Sequence, residues 1–253
     1  MRLYFENGLE IPRKRLQRKA LKPMPELPEV ETLVRQMKRR KLAGRRVLAV
    51  RQYTPGVLRG RRVRLGRLVG RRIASVSRRG KFVRLDFAPL ETNAAEDGLT
   101  VLIHLGMTGR LTLRRAMPPR DGHDHLELLL DDGATLRFRD ARRFGGCWLM
   151  AAGQADAMPP LGELGPEPQE ISLSEFQRLL HGRTQRIKAL LLDQRRIAGI
   201  GNIYCDESLF ASGIHPLTRA CDIPPAKVKA LWRNLRRILR EAAGCGGSST
   251  SDF

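Results

Sequence analysis

The first regular pattern of apolar and polar positions in the chain begins at Leu27. Apolar side chains at Leu27, Val30, Leu33, Val34 and Met37 follow helical spacing, and charged residues stand between them. A stripe of this kind gives one helical face that is buried and one that is solvated. The pattern therefore predicts an amphipathic helix of about four turns at this point of the chain.

The period of the apolar positions changes to two between residues 47 and 150. Apolar and charged residues alternate over residues 83–87, apolar residues take every second position over 126–130, and residues 101–105 form a short apolar run. Turn signals such as Asp132-Gly133 separate these runs. This region therefore predicts antiparallel strands packed as a β-sandwich.

A third pattern begins after a stretch rich in proline and glycine, which has the composition of a linker. Ser172 and Glu175 stand at the two positions of a capping box, and residues 228–239 are strongly amphipathic. The predicted divisions are a helix and β-sandwich domain over 24–152, a linker over 153–170 and an all-helical domain over 171–253. The predicted fold class is α+β.

The charge of the chain indicates an anionic polymer as its partner. The 253 residues include 47 Lys and Arg against 26 Asp and Glu, which gives a formal net charge of +21. Arginine dominates this excess, and its planar guanidinium suits phosphate and guanine edges. No stretch approaches the roughly 20 apolar residues of a membrane span, and the start lacks the apolar core of a secretory signal. We expect a cytoplasmic protein that binds nucleic acid.

Two further compositional features carry little chemistry. The segment 59–72 holds seven arginines, and we expect a solvated loop or edge strand there in preference to direct base contact. The four cysteines are scattered without a Cys-x-x-Cys pair, so neither a zinc ribbon nor a disulfide framework is readable. No metal ligand is assigned.

Two motifs provide candidate catalytic groups. Pro25 and Glu26 follow Met24, and removal of an initiator methionine would leave Pro25 with a secondary amine that can attack an aldehyde-level carbon. The alternative is a helix start, where proline and glutamate are both favoured. Lys81, in Arg79-Gly80-Lys81-Phe82, can anchor a phosphate at a strand end, although most such lysines only solvate the strand.

Three glycine-containing motifs provide candidate DNA contacts. Glycines on both sides of Met107 permit a loop that presents this side chain as a wedge in a base stack, and a buried methionine is the alternative. Arg142 and Phe144, on a short turn, could fill the gap left by an extruded base, or form a salt-bridged hairpin corner. Asn202 follows Gly201 at a helix start, where backbone N–H groups favour a phosphate.

In this order the motifs resemble those of the formamidopyrimidine-DNA glycosylase and endonuclease VIII superfamily. The resemblance covers residues 24–253 almost continuously, and Pro-Glu-Leu-Pro-Glu-Val at residues 25–30 is similar to the formamidopyrimidine branch. It implies a helix-two-turn-helix domain after the sandwich. It also implies a bifunctional glycosylase and AP lyase that removes 8-oxoguanine and formamidopyrimidines from double-stranded DNA. The expected active form is a monomer.

The resemblance implies a role for each matching residue. Pro25 would form the Schiff base with the sugar, Glu26 would shuttle protons during ring opening, and Lys81 would hold the flanking phosphate and assist β,δ-elimination. Met107, Arg142 and Phe144 would fill the void left by the flipped nucleotide. The remaining implied DNA contacts are His104, Lys188 and Asn202.

Two departures from the family pattern bear on activity. Residues 1–23 form a basic extension that is interpreted first as a misplaced start before Met24, second as a DNA-binding arm and third as a targeting segment. While they remain attached, the Pro25 nitrogen is an amide that cannot form an iminium. Family members also continue into a zinc finger, which the motifs here lack. The alternative function is therefore an inactive, truncated DNA-binding remnant of the same family.

Overall fold

The computed structural model of the protein describes residues 24–60, 64–90 and 98–247, and the basic extension over 1–23 lies outside these ranges. The helices are α1 (Leu27–Arg39), α2 (Leu173–Leu180), α3 (Ile187–Leu192), α4 (Asn202–Ala211) and α5 (Pro225–Gly244). The strands are β1 (Val47–Gln52), β2 (Ile73–Arg79), β3 (Phe82–Phe87), β4 (Leu99–His104), β5 (Gly109–Arg114), β6 (Asp124–Leu130), β7 (Thr135–Asp140) and β8 (Gly146–Ala151). This order confirms the predicted α+β class.

The strands form two four-stranded antiparallel sheets that share one core. One sheet has the order β1-β6-β7-β5 and the other has the order β2-β3-β4-β8. The alternation predicted from the sequence is visible in β3, where Val83, Leu85 and Phe87 are buried and the residues between them are half-buried. Side chains from both sheets meet in a single apolar cluster. The predicted sandwich is confirmed.

The helices α2 to α5 surround a second apolar core. The predicted capping box at the start of α2 is present, since the Glu175 N–H donates to Ser172 Oγ at 3.2 Å and the Ser172 N–H donates to Glu175 Oε2 at 2.8 Å. Helix α5 buries Val228, Leu231, Leu235 and Leu239 along one face. These contacts confirm the predicted helical region.

Helix α1 lies between the two cores, and this placement positions the site. Its apolar face, with Val30, Leu33 and Val34, is buried in the sandwich core. On another side, Arg35 Nη1 donates to the carbonyl of Ala243 in α5 at 3.1 Å. The first residues of α1 consequently stand at the junction of the sandwich and the helices.

The arginine-rich segment departs in part from the predicted solvated loop. Arg71 is buried, and its guanidinium donates hydrogen bonds to the carbonyl oxygens of Arg67 at 2.8 Å and of Ala88 at 3.1 Å. A guanidinium can be removed from water at moderate cost when its N–H groups find acceptors. Arg61 and Arg62 lie outside the described residues. No helix in the described ranges has the length and apolar character needed to cross a bilayer.

Candidate active site and DNA-binding loops

The carboxylate of Glu26 is bound at the amino-terminal end of α4. Glu26 Oε1 accepts a hydrogen bond from the Ile203 N–H at 3.0 Å, and Oε2 accepts one from the Tyr204 N–H at 3.5 Å. The approach requires glycine at position 201, since a Cβ there would lie 2.1 Å from Glu26 Cδ. Because the start of a helix stabilises an anion, α4 fixes this carboxylate in place. The Asn202 side chain remains exposed beside it.

This arrangement changes the anion site that the sequence predicts at Gly201-Asn202. The N–H groups of Ile203 and Tyr204, which would be available to a phosphate, are already bound to Glu26. The anion at this helix start is therefore a carboxylate of the protein. A phosphate contact by Asn202 would have to come from its exposed side chain, and it stays a prediction.

Pro25 is buried immediately before this carboxylate, in a turn that is held on both sides. Glu29 Oε2 accepts a hydrogen bond from the Glu26 N–H at 3.0 Å, and Glu29 Oε1 accepts one from the Tyr204 hydroxyl at 2.6 Å. The Leu27 N–H donates to the carbonyl of Gly199 at 3.1 Å. The turn that carries Pro25 is thus tied to the helical domain by several bonds.

Lys81 is buried at the turn between β2 and β3. Gly80 before it has a φ of +55°, in the left-handed region that favours glycine. Within the described ranges, the Lys81 amine makes no hydrogen bond or ion pair, yet it interacts electrostatically with Glu26 and Glu29. The structure therefore brings Lys81 and Glu26, two of the predicted catalytic residues, into one neighbourhood.

Burial shifts the pKa of both groups toward their neutral forms. It raises the pKa of Glu26, while the N–H groups of Ile203 and Tyr204 and the charge of Lys81 oppose the rise. It lowers the pKa of Lys81, against the attraction of Glu26 and Glu29. Opposite shifts in neighbouring groups are typical of sites that transfer protons.

His104 connects this neighbourhood with the next loop. Its Nδ1 accepts a hydrogen bond from the Gly106 N–H at 3.2 Å, and its ring packs against Phe82 with centroids 5.0 Å apart. Burial, followed by the charges of Lys81 and Arg59, lowers the pKa of His104 to about 4. The ring is consequently neutral near pH 7, with Nδ1 as an acceptor.

Asp140 joins the two loops that carry the predicted void-filling residues. Its buried carboxylate accepts hydrogen bonds from the Thr108 hydroxyl, from the Arg142 N–H at 3.2 Å and from the Gly145 N–H at 2.7 Å. The loops meet at Gly106, where a Cβ would lie 2.5 Å from the Gly145 nitrogen. The short connection around Gly106 and the turn after β7 are therefore packed backbone to backbone.

The side chains on these two loops lie at the surface. Phe144 is 53% exposed, and the Arg142 guanidinium stacks over its ring at 4.6 Å from the centroid. Arg143 between them has a φ of +56°, which forms a tight turn. Met107 on the neighbouring loop is half-buried. The structure thus places the predicted trio on adjoining loops.

Lys188 lies on α3 and is bound to a neighbouring helix. Its amine contacts Asp206 in α4 at 2.7 Å and 2.8 Å from the two carboxylate oxygens. Both side chains remain accessible to solvent, and such pairs contribute little stability. A DNA contact by Lys188 would therefore exchange this carboxylate for a phosphate at small cost.

Sequence patterns missed three residues that organise the site. Asp140 holds the two loops, Tyr204 binds Glu29, and Glu167 binds the turn before Lys81. The bonds from Asp140 to Thr108, from Tyr204 to Glu29 and from Glu167 to Gly80 span 32, 175 and 87 residues, so periodicity gives no signal for them. Glu167 lies in Leu164-Gly165-Pro166-Glu167-Pro168, a run whose composition predicts only a linker.

The described residues do not fit the zinc site that the family resemblance implies. Cys147 and Cys205 are buried and Cys221 and Cys245 are exposed, all as free thiols. Over residues 24–60, 64–90 and 98–247, no group of three or more His, Cys, Asp or Glu side chains could hold a metal ion.

Comparison with known proteins identifies the family. The sequence model of the formamidopyrimidine-DNA glycosylase N-terminal domain matches residues 24–147, and that of the formamidopyrimidine-DNA glycosylase H2TH domain matches residues 164–253. The two domains define a DNA-binding glycosylase of base-excision repair. The chain belongs to the formamidopyrimidine-DNA glycosylase family.

Individual relatives agree in sequence and in structure. The formamidopyrimidine-DNA glycosylase of Solibacter usitatus is 42% identical over 233 residues, which are 91% of this chain and 81% of the relative. That of Acidovorax sp. is 42% identical over 241 residues, 91% of this chain and 82% of the relative. A solved complex of Lactococcus lactis Fpg with DNA containing an abasic site has a TM-score of 0.81 at 30% identity, and the match covers 90% of this chain and 82% of that one.

Proposed function

We propose that the protein is a bifunctional DNA glycosylase and AP lyase that removes oxidised purines, such as 8-oxoguanine and formamidopyrimidines, from double-stranded DNA. The observation that carries this proposal is the buried Pro25 next to the Glu26 carboxylate on α4, with the buried Lys81 amine in the same neighbourhood. A nucleophile, a fixed carboxylate and an amine are the groups that this chemistry needs.

The proposed reaction begins at the Pro25 nitrogen. The nitrogen bonds to C1′ of the damaged nucleotide while the glycosidic bond breaks, and the base leaves with that electron pair and a proton. Protonation of O4′ opens the sugar and gives an iminium between Pro25 and C1′. Removal of a C2′ proton then expels the 3′ phosphate, and removal of a C4′ proton expels the 5′ phosphate. Water hydrolyses the iminium and frees the proline.

The nucleophile must be a free secondary amine for this reaction to occur. While Met24 is joined to Pro25, the nitrogen lone pair is delocalised into the peptide bond. The proposed activity therefore belongs to a form of the chain in which Pro25 is the first residue.

Glu26 and Lys81 are the proposed proton-transfer groups. The raised pKa of Glu26 favours donation of a proton to O4′, after which the N–H groups of α4 stabilise the carboxylate that remains. The lowered pKa of Lys81 increases its neutral fraction, so its amine can accept a proton during elimination as well as bind the flanking phosphate when charged.

The proposed DNA contacts extend from this centre along the two loops and the helical domain. The space of the extruded nucleotide would be filled by Met107, Arg142 and Phe144. An exposed arginine stacked on an exposed aromatic ring is suited to this role. Asn202 would contact a phosphate, Lys188 would lie near the damaged base, and His104 would border the same pocket. The net charge of +21 supports a binding energy that depends on salt. We propose that one copy suffices and that it acts on DNA in the cytoplasm.

Nicking of a defined duplex tests the proposal. A duplex with one 8-oxoguanine is incubated with the chain that begins at Pro25, and strand breaks at the lesion are measured. We expect nicking that Pro25→Gly abolishes while duplex binding persists. Salt-sensitive binding without any nicking would instead support the alternative, an inactive DNA-binding remnant.

A further inference from the structure

We propose that Glu167 is a positioning residue that holds the Lys81 amine in the active site through the turn between β2 and β3. The inference rests on the proposed function of Lys81. Glu167 lies 87 residues beyond Gly80 in the chain, in the segment that the sequence predicts to be a linker. It makes no contact with Pro25 or Glu26 among the described hydrogen bonds and ion pairs, so its effect must pass through the turn.

The Glu167 carboxylate is buried and gathers three consecutive residues. Its Oε1 accepts a hydrogen bond from the Gly80 N–H at 2.7 Å and one from Arg79 Nη1 at 3.0 Å. Its Oε2 accepts one from Arg78 Nη1 at 2.8 Å. Hydrogen bonds to a buried charged group are stronger than neutral ones, so this single carboxylate fixes the Gly80 backbone N–H and the guanidinium groups of Arg78 and Arg79.

The same cluster attaches the turn to α1 and to the segment that the sequence predicts to be a linker. Arg78 also donates through Nε to Glu31 of α1 at 3.0 Å, and Arg79 Nη2 donates to the carbonyl of Gly165 at 2.7 Å. The Glu167 carboxylate is therefore part of a bridge between the sandwich, α1 and the predicted linker.

The bridge acts on Lys81 because the tight turn at Gly80 restricts the backbone that carries this lysine. Gly80 has positive φ, and a Cβ there would lie 3.1 Å from Leu164 Cδ1, so the backbone fits closely against the segment that carries Glu167. Lys81 follows directly, and its amine makes no bond of its own within the described ranges. The location of that amine thus depends on the backbone before it, and the Gly80 N–H bond to Glu167 fixes that backbone.

The chain offers a matched control in Asp86. This carboxylate on β3 accepts hydrogen bonds from Ser75, Arg84 and Thr100 at 2.7 Å, 2.8 Å and 2.7 Å. It belongs to the same β2–β3 hairpin but lies at the end away from the turn. Asp86→Asn therefore shows how neutralising a hydrogen-bonded carboxylate in this sheet affects the measurements when the Gly80 turn before Lys81 is left intact.

Lysine acetylation of the full chain tests the proposal independently of catalysis. Acetylation rates of Lys81 are measured by mass spectrometry relative to the exposed Lys38, in the unsubstituted protein, in Glu167→Gln and in Asp86→Asn. We expect Glu167→Gln to accelerate Lys81 acetylation about tenfold, because bonds to a charged group stabilise by at least the amount that a tenfold change represents. Asp86→Asn should leave the rate unchanged.

Single-turnover nicking of an abasic duplex is measured on preparations in which the Pro25 amine is free. We expect the nicking rate to fall roughly 10- to 100-fold for Glu167→Gln, since a small displacement of a catalytic group has effects of this size.

If Glu167→Gln does not fold, Glu167→Asp keeps the charge but retracts it from Gly80, and faster acetylation of Lys81 is again expected. A folded variant with unchanged Lys81 acetylation overturns the proposal. Absence of nicking by the unsubstituted protein contradicts the proposed function alone.

Discussion

Alanine at position 201 would displace the Glu26 carboxylate from the start of α4. Gly201 has φ −124° and ψ −167°, a conformation that alanine adopts without strain. Its Cβ, however, would lie 2.1 Å from Glu26 Cδ, about 1.3 Å closer than ordinary contact allows. The carboxylate must therefore move by a comparable distance, and its bonds from Ile203 and Tyr204 are lost or lengthened.

The magnitude follows from those two hydrogen bonds. Each bond to a charged group is worth about 1.5–3 kcal/mol, and the longer one at 3.5 Å is weak, so we expect Gly201→Ala to lower the free energy of unfolding by about 2–4 kcal/mol. A displacement of about 1 Å in a catalytic group also costs on the order of 100-fold in rate. The substitution should therefore reduce both stability and nicking.

Gly66→Ala is the control for this substitution. No heavy atom lies within 4 Å of a Cβ at Gly66, so alanine there shows only the general effect of replacing glycine. Stability is measured by urea denaturation with tryptophan fluorescence, and activity by single-turnover nicking of an abasic duplex. If Gly201→Ala matches Gly66→Ala in both measurements, the placement of Glu26 on α4 is refuted as a basis of activity.

Three further predictions concern single side chains. Tyr204→Phe removes a buried bond to Glu29, so urea denaturation should show a loss of about 1.5–3 kcal/mol, and an unchanged midpoint would contradict this. The folded pKa of His104 is about 4, below its ordinary value of 6.5. The stability that the neutral ring contributes is therefore complete above pH 6.5, decreases below that value and is lost as the pH falls through 4. An NMR titration should give that midpoint, and His104→Gln should flatten the stability profile between the two values. Phe144→Ala should change stability by less than about 0.5 kcal/mol but slow base excision about tenfold, because an exposed ring that stacks on bases contributes to the complex alone.

Local patterns were sufficient to predict several elements of the fold. The helical stripe from Leu27 to Met37 became α1, the alternation in residues 83–87 became β3, and the Ser172 capping box starts α2. Each of these signals depends on neighbours a few residues apart, because the periods of helices and strands are short. That is why such elements can be recognised without knowledge of the tertiary structure.

The geometry of the site depends on contacts between distant residues, which the sequence alone does not reveal. Glu26 is 177 residues from Ile203, and Gly80 is 87 residues from Glu167. A glutamate at a helix start predicts a favourable charge there, but not that the start of another helix will bind it. The phosphate site predicted at Gly201-Asn202 differs in the structure for the same reason. Glu26, from the other domain, occupies the N–H groups of Ile203 and Tyr204 that a phosphate would have bound.

The central claim is that the Pro25 amine becomes covalently bound to DNA, and borohydride trapping tests it most directly. Oxidised duplex DNA is treated with borohydride in the presence of the chain that begins at Pro25 or of the full 253-residue chain, and the attachment site is located by peptide mass spectrometry. We predict a trapped complex for the first form, with the DNA remnant on Pro25, and none for the intact second form. Attachment to a lysine, or equal trapping of both intact forms, would contradict the claim.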